Sequence, residues 1–172
     1  MMKKYLLLIL VCWSGTVMAQ MEAARKINPE YLHETRIKSD PPTIWQTIRD
    51  LPKVKDYSNG AITEVNIRTV GGTQFRDLVF ADGRKRTDEI EQVHDTYKFF
   101  VFRVAAPLPS GVSKAIVTAL VESIPDSIGT SVVRWSIIME GNKSAKKALT
   151  DTLVAEIANY EAGLKKLMEQ AP

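Results

Sequence analysis

Cysteine and histidine are almost missing from this chain. Its 172 residues include one cysteine, Cys12, and two histidines, His33 and His94. Cys12 lies in an apolar N-terminal stretch, and the chain after it has no thiol, which excludes a cysteine nucleophile, a disulfide and a thiolate metal site there. The two histidines are not at zinc-ligand spacing, so no metal is expected. The H-E-x-x-H, G-x-S-x-G, P-loop and G-x-G-x-x-G patterns are also absent. Metal-assisted hydrolysis, the serine-hydrolase elbow and nucleotide binding therefore lack sequence support, and no cofactor is implied. With nine glycines, eight prolines and no internal repeat, the chain is neither collagen-like nor a solenoid.

A bilayer-spanning run is missing too, since one needs about 20 apolar residues. Residues 5–13 (YLLLILVCW) are apolar but too few. They follow the positive Met1-Met2-Lys3-Lys4 and precede 14–19 (SGTVMA), where Val17 and Ala19 have the spacing of a cleavage site. This is the pattern of a secretory signal peptide, residues 1–19, cut after Ala19. Ile9-Leu10-Val11 lacks the small residue expected before a lipidated cysteine. Cleavage removes Lys3 and Lys4, which takes Lys plus Arg from 23 to 21 against 20 Asp plus Glu, so the charge falls from +3 to about +1. A nucleic-acid partner would want a strongly basic domain. The expectation is a periplasmic or secreted protein with no membrane span after cleavage, its core held by packing alone.

What is present is ordinary globular composition, 45% hydrophobic and 25% charged, at a length that suits one domain. Residues 20–30 read as a flexible lead-in and 31–169 as the domain. Residues 31–38 alternate as a strand. Asp40 can cap a helix over 42–50, in which Ile44, Trp45 and Ile48 share a face, and Pro52 closes it before a short helical turn at 53–57. Six strands follow, at 61–70, 73–80, 85–93, 97–105, 113–122 and 130–139. The short links between them, Gly71-Gly72 and Asp82-Gly83 among them, force antiparallel neighbours. Residues 142–169 form a long helix with Asn142 as its cap, which also accounts for the Asn142-Lys143-Ser144 sequon. Its stripe is Leu149, Leu153, Ile157, Tyr160, Leu164 and Leu167, and each fully buried member contributes at most roughly 1.5–3 kcal/mol. The available partner for that stripe is a curved sheet. The fold class is α+β, a seven-stranded curved antiparallel sheet around a long C-terminal helix, with two short helices after the first strand. A helix does not fill such a concave face, so a ligand cavity is expected between them.

This order resembles the START-like superfamily, also called Bet v 1-like or polyketide cyclase/dehydrase. The residues that carry the resemblance are IKSDPPTIWQTIRDL at 37–51, Gly72-Thr73-x-x-Arg76, the acidic strand Asp88-Glu89-Ile90-Glu91 leading to Asp95, and Gly129-Thr130-Ser131-Val132-Val133-Arg134-Trp135. It spans about 31–169 and implies a helix-grip fold with a cavity for a hydrophobic small molecule. The strand of Arg76 is similar to the family strand whose arginine faces inward, and Asp88 stands where related receptors point a carboxylate into the pocket. Arg86 departs from the pattern, standing where small residues are common, which implies a less open pocket. Loops at 81–84 and 107–109 correspond to places that gate the cavity in the plant hormone receptors.

The ligand-binding residues expected from this reading are Arg76, Leu78, Phe80, Arg86, Asp88, Ile90, Phe100, Phe102, Leu108, Trp135, Ile157 and Tyr160. Arg76, Arg86 and Asp88 are read either as a polar clamp for an apolar ligand or as charges that pair only among themselves. Trp45 and Trp135 suit the core, Trp135 also a pocket wall. Phe99 and Val101 give their strand a second apolar face, and His94 reads as a surface residue. The function expected first is a non-catalytic carrier of a lipid, quinone or polyketide-like molecule. A cyclase- or dehydratase-like enzyme with Asp88 as general acid or base, and a module that assists a periplasmic protein partner, are the alternatives.

Overall fold

The computed structural model describes residues 28–125 and 127–169. The expected signal peptide and most of the lead-in lie outside the described residues. The last residue assigned to the lead-in is already anchored: the Glu30 amide donates to the Ile137 carbonyl at 2.8 Å, and its carboxylate pairs with Lys146.

Strand β1 (Tyr31–Ile37) leads into helix α1 (Pro41–Arg49), a 3-10 turn (Leu51–Lys53) and a short helix α2 (Val54–Tyr57). Six strands follow: β2 (Ile62–Val70), β3 (Thr73–Phe80), β4 (Lys85–His94), β5 (Phe99–Ala106), β6 (Val112–Ser123) and β7 (Ser131–Gly141). Helix α3 (Lys143–Glu169) ends the described chain. All seven strands form one antiparallel sheet in the order β1-β7-β6-β5-β4-β3-β2. No helix of the described residues is long and apolar enough to cross a membrane.

The expected boundaries hold to within two residues, and local chemistry sets them. The Asp40 carboxylate accepts from the Thr43 amide at 2.8 Å and starts α1. Asn142 does the same for α3 through the Ala145 amide at 2.9 Å, so the sequon residue is a helix cap. Gly71 and Gly72 both sit at positive φ, 59° and 84°, as a two-residue hairpin loop between Val70 and Thr73 requires.

Burial alternates along β3, β6 and β7, as a sheet with one covered face demands. Register shifts in β2, β4 and β6 bend the strands, and the sheet curves. The convex face carries cross-strand ion pairs, Arg68 with Asp77, Arg103 with Glu89 and Glu91, and Arg134 with Glu34 and Glu122. Half-buried Phe99 and Val101 lie among them. His94 is exposed and stacks on Phe99, with ring centroids 5.1 Å apart.

On the concave side α3 buries Leu149, Leu153, Ile157, Tyr160 and Leu164, while Leu167 is only half-buried. The helix lies closest to β1 and β7 of the sheet. At its far end α3 meets α2 closely. A Cβ at Gly163 would stand 2.1 Å from the Tyr57 carbonyl oxygen, so only glycine permits this approach. Trp45 fixes α1 to the β4–β5 turn by donating its indole N–H to Asp95 at 2.9 Å.

Candidate functional site

The register of β3 and β4 sets Arg76 opposite Asp88 and Leu78 opposite Arg86. The pleat points all four, with Phe80, into the concave side, where α3 presents Glu156 and Tyr160 to them. Arg76 Nη2 donates to Asp88 Oδ2 at 2.9 Å, and Arg86 Nη2 donates to the same oxygen at 3.3 Å. Arg86 Nε lies 2.8 Å from Asp88 Oδ1, near enough for an ion pair but out of line for a hydrogen bond. Arg86 Nη1 donates to Glu156 Oε2. Arg84, in the β3–β4 turn, donates from Nη1 to Glu156 Oε1 at 3.2 Å and from Nε to Asp82 Oδ2 at 2.7 Å.

A chain of alternating charge therefore runs from solvent to the centre of the core: Asp82, Arg84, Glu156, Arg86, Asp88, Arg76. The Arg84 side chain is 49% exposed at the outer end and that of Asp88 is 0% exposed near the inner end. Three cations face three carboxylates, and each buried charge touches an opposite one. Burying ions without such partners would cost several kcal/mol per ion, on the order that makes unpaired ones rare.

Burial works against the charge on Arg76 and Arg86. Burial is the largest single influence on each, but Asp88 with Tyr57 and Tyr160 at Arg76, and Asp88 with Glu156 and Tyr160 at Arg86, together outweigh it, so both guanidiniums hold their protons above the ordinary arginine value. Burial raises the pKa of Tyr160 well above that of a free tyrosine, against the pull of Arg86, and raises that of Tyr57 against Arg76. Both phenols are thus neutral groups at any physiological pH. Aromatic faces complete the surroundings. The Arg76 guanidinium stands 4.9 Å from the Phe102 ring centroid and that of Arg86 5.3 Å from the Phe80 centroid, both within cation–π range. The Tyr160 ring is 5.6 Å from that of Tyr57 and 5.8 Å from that of Trp135.

The structure gathers Arg76, Leu78, Phe80, Arg86, Asp88, Phe100, Phe102, Trp135, Ile157 and Tyr160 into one core. Ile90 and Leu108 lie half-buried at its margin. The open cavity that these residues are expected to line is not there. Leu78, Phe100, Phe102, Trp135 and Ile157 are 1–2% exposed, which leaves no water-sized space against them. The physical reason is side-chain length: two arginines, Glu156 and Tyr160 fill the concavity that a bent sheet and one helix leave. Asp88 is sealed in the same way, so no substrate touches it as a general acid or base in this conformation. Among the described residues no cluster of His, Cys, Asp or Glu could hold a metal.

Open space lies beside the cluster. A groove of about 450 Å³ runs between the β3–β4 turn and α3, lined by Phe80, Arg84, Thr152, Ala155, Glu156 and Asn159 among others. Phe80 forms part of its wall, with Arg84 and Arg86 over the ring at 4.5 and 5.3 Å. Three other grooves of about 470–510 Å³ touch no member of the charge chain. The sequence reading missed Glu156, Tyr57 and the inward role of Arg84. Glu156 left a signal, because it stands three residues after Leu153 and four before Tyr160, on the buried stripe.

A bent seven-stranded antiparallel sheet, two short helices after its first strand and a long C-terminal helix in its concave face define the helix-grip fold of START-like and Bet v 1-like proteins. Solved structures share it. The protein XoxI from Bacillus cereus superposes with a TM-score of 0.69 at 20% identity, covering 81% of this chain and 95% of that one. Norcoclaurine synthase from Thalictrum flavum gives 0.67 at 17% identity, covering 82% and 86%, and has also been solved with dopamine and hydroxybenzaldehyde. A protein from Thermobifida fusca gives 0.63 at 12%, covering 78% and 89%. At these identities the likeness is one of fold. No family model and no curated protein matches the sequence.

Proposed function

We propose that this chain is an exported binding protein, periplasmic or secreted, that carries an apolar small molecule with a polar end. The guest enters through the groove between the β3–β4 turn and α3, and its polar end meets the buried charge chain. The observation that carries the reading is that this chain continues from the groove, at Arg84 and Glu156, to the centre of the core at Arg76. A hydrophobic filling of the same volume would stabilise the fold as well or better. Such a line of ions leading inward from an open groove is therefore explained better by recognition than by stability. Phe80 and Arg84 are the groups that turn aside on entry. Export is supported by the sequence pattern of residues 1–19.

The test uses N-phenyl-1-naphthylamine, a neutral dye that fluoresces in apolar surroundings, together with Ala155→Trp. Ala155 is exposed on the groove wall, so tryptophan there fills the groove without entering the core. The wild type binds the dye, native mass spectrometry of the protein from its own cells finds an apolar molecule bound, and the variant loses dye binding at unchanged thermal stability. Equal dye binding by both proteins, or none by either, overturns the reading. Export is tested separately by N-terminal sequencing of the secreted fraction, which finds Gln20 first if the reading is right.

A further inference from the structure

Strand β2 stands at one end of the sheet, and only β3 pairs with it. Among the described residues no other backbone group bonds to the backbone of residues 63–70. Such a row of unpaired N–H and C=O groups is a template for another strand. The loop at Gly71-Gly72 fixes which residues supply it. A two-residue hairpin makes Val70 and Thr73 a pair that exchanges both backbone bonds. By alternation Arg68, Asn66 and Glu64 turn their backbone groups towards β3, and Thr69, Ile67 and Val65 turn theirs outward. The register shift between Ile62 and Glu64 ends the regular edge at Thr63.

The side chains along this edge are complementary to themselves. Read antiparallel about Asn66, Val65 falls opposite Ile67 and Glu64 opposite Arg68, and a two-fold axis repeats both pairs. Val65 and Ile67 turn outward, so they exchange backbone bonds across the axis. Glu64 with Arg68, and Asn66 with its own copy, are then the non-bonded pairs, whose side chains come closest. Moving the centre by one residue loses the match: about Val65, Arg68 meets Ile62, and about Ile67, Glu64 meets Val70. Glu64 and Arg68 are both exposed, on the convex face. Arg68 gives Nε and Nη2 to Asp77, which leaves Nη1 for a second carboxylate. On the concave face Val65 and Ile67 are half-buried, and a groove of about 500 Å³ shared with Leu51, Pro52 and Gln74 opens beside Ile67.

We propose that the β2 edge is a dimer interface whose partner is a second copy of this chain, joined antiparallel about Asn66 so that the two sheets run into one. Each copy gives Glu64 to the other's Arg68 and lays Val65 against the other's Ile67. The interface does not depend on the binding reading above.

Exchange of charge tests this by sedimentation equilibrium. The wild type dimerises at low salt, and added salt weakens the dimer because the ion pairs are exposed. Glu64→Lys sets cation against cation at both ends of the ladder and weakens the dimer about tenfold or more, since two cross-strand attractions become repulsions. Arg68→Glu, which sets carboxylate against carboxylate, does the same. Mixed together, the two variants regain an opposite charge at both ends and form a heterodimer within about threefold of wild-type affinity. Thermal unfolding checks that each variant is folded. Asn66→Cys in a Cys12→Ser background reads the register without either charge variant, because the two copies of position 66 face each other about 4.5 Å apart at Cα, within disulfide reach. It oxidises to a covalent dimer faster than Glu64→Cys, whose two copies lie about 13 Å apart along the strand. A wild type that is monomeric up to its solubility limit overturns the proposal and leaves the edge to strands of other proteins. Variants that dimerise as the wild type does, a mixture no more associated than its components, or equal cross-linking at positions 64 and 66 overturns it too.

Discussion

Replacing Glu156 by leucine tests whether the charge chain is as desolvated as its geometry states. The Glu156 side chain is 5% exposed and that of Arg86 8%. Removing one member of a buried pair costs about 3–5 kcal/mol, mostly because the other charge is left without its partner. Arg86 keeps Asp88, and Arg84 keeps Asp82, so the loss lies near the lower end, about 3 kcal/mol. For a domain of this size that corresponds to a fall of roughly 6–12 °C in Tm. The double variant Arg86→Met/Glu156→Leu should recover most of the loss. It leaves Arg76 with Asp88, keeps the cluster neutral and puts apolar volume where the ions were. Stability returns to within about 1 kcal/mol of wild type, or exceeds it. Urea unfolding at neutral pH, with ΔG taken from the midpoint and slope, measures both. The single-variant loss is also insensitive to salt, because buried pairs are screened little. Asp77→Asn is the exposed control: its partner Arg68 is 42% exposed, so it costs at most about 1 kcal/mol and that cost shrinks with salt. A Glu156→Leu loss below about 1 kcal/mol refutes the reasoning, since it would mean that water already reaches the pair. A double variant no better than the single refutes the pairing of these two residues.

Gly163→Ala lowers stability although alanine is the better helix former by about 1 kcal/mol, because its methyl group meets the Tyr57 carbonyl 2.1 Å away; thermal unfolding that finds the variant more stable sinks the close approach of α2 and α3. Asp40→Ala, which removes the cap on the Thr43 amide, costs about 1 kcal/mol by urea unfolding. Raised phenol pKa values at Tyr57 and Tyr160 mean that the folded state holds protons that the unfolded state releases near pH 10. The stability they contribute is complete below that pH and is lost as the pH rises further. Absorbance at 295 nm followed with circular dichroism should show these two tyrosines ionising only as the chain unfolds, and ionisation with the fold intact would contradict their burial.

Periodicity made the architecture legible. The i, i+3, i+4 spacing of Leu149, Leu153, Ile157, Tyr160 and Leu164 located the buried stripe of α3, and strict alternation at Arg76, Leu78 and Phe80 gave the inward face of β3. Both patterns follow from backbone geometry alone, which is why boundaries fell within two residues. The partners of the charges were less legible. Arg86 and Asp88 share a strand face by their spacing, but Glu156 is 70 positions away from Arg86, and only the docking of α3 brings it there. The filled hollow is not legible in the sequence for a related reason. Spacing says which residues face inward, whereas whether they meet depends on side-chain length and on the curvature set by register shifts in β2, β4 and β6.

Side-chain length also sets how the helix is held on the two sides of the sheet. Over β1 and β7 the buried side chains are apolar, Ile37, Val133, Trp135 and Ile137 among them, and α3 settles directly on those strands. Over β3 and β4 the floor carries Arg76 and Arg86, and the Arg86 guanidinium reaches to α3 and meets Glu156 there. The helix is thus held on one side by apolar contact and on the other by ions. These two kinds of contact respond differently to a guest. Separating apolar surfaces exposes area at roughly 25 cal/mol per Å² with nothing in return until the guest fills it. Ion pairs at the end of long, jointed side chains can instead exchange one polar partner for another while the backbone stays in place. The β3–β4 side is therefore where the grip can open at least cost. Arg84, half exposed and shared between Asp82 and Glu156, is the member that can leave the core and still keep a partner.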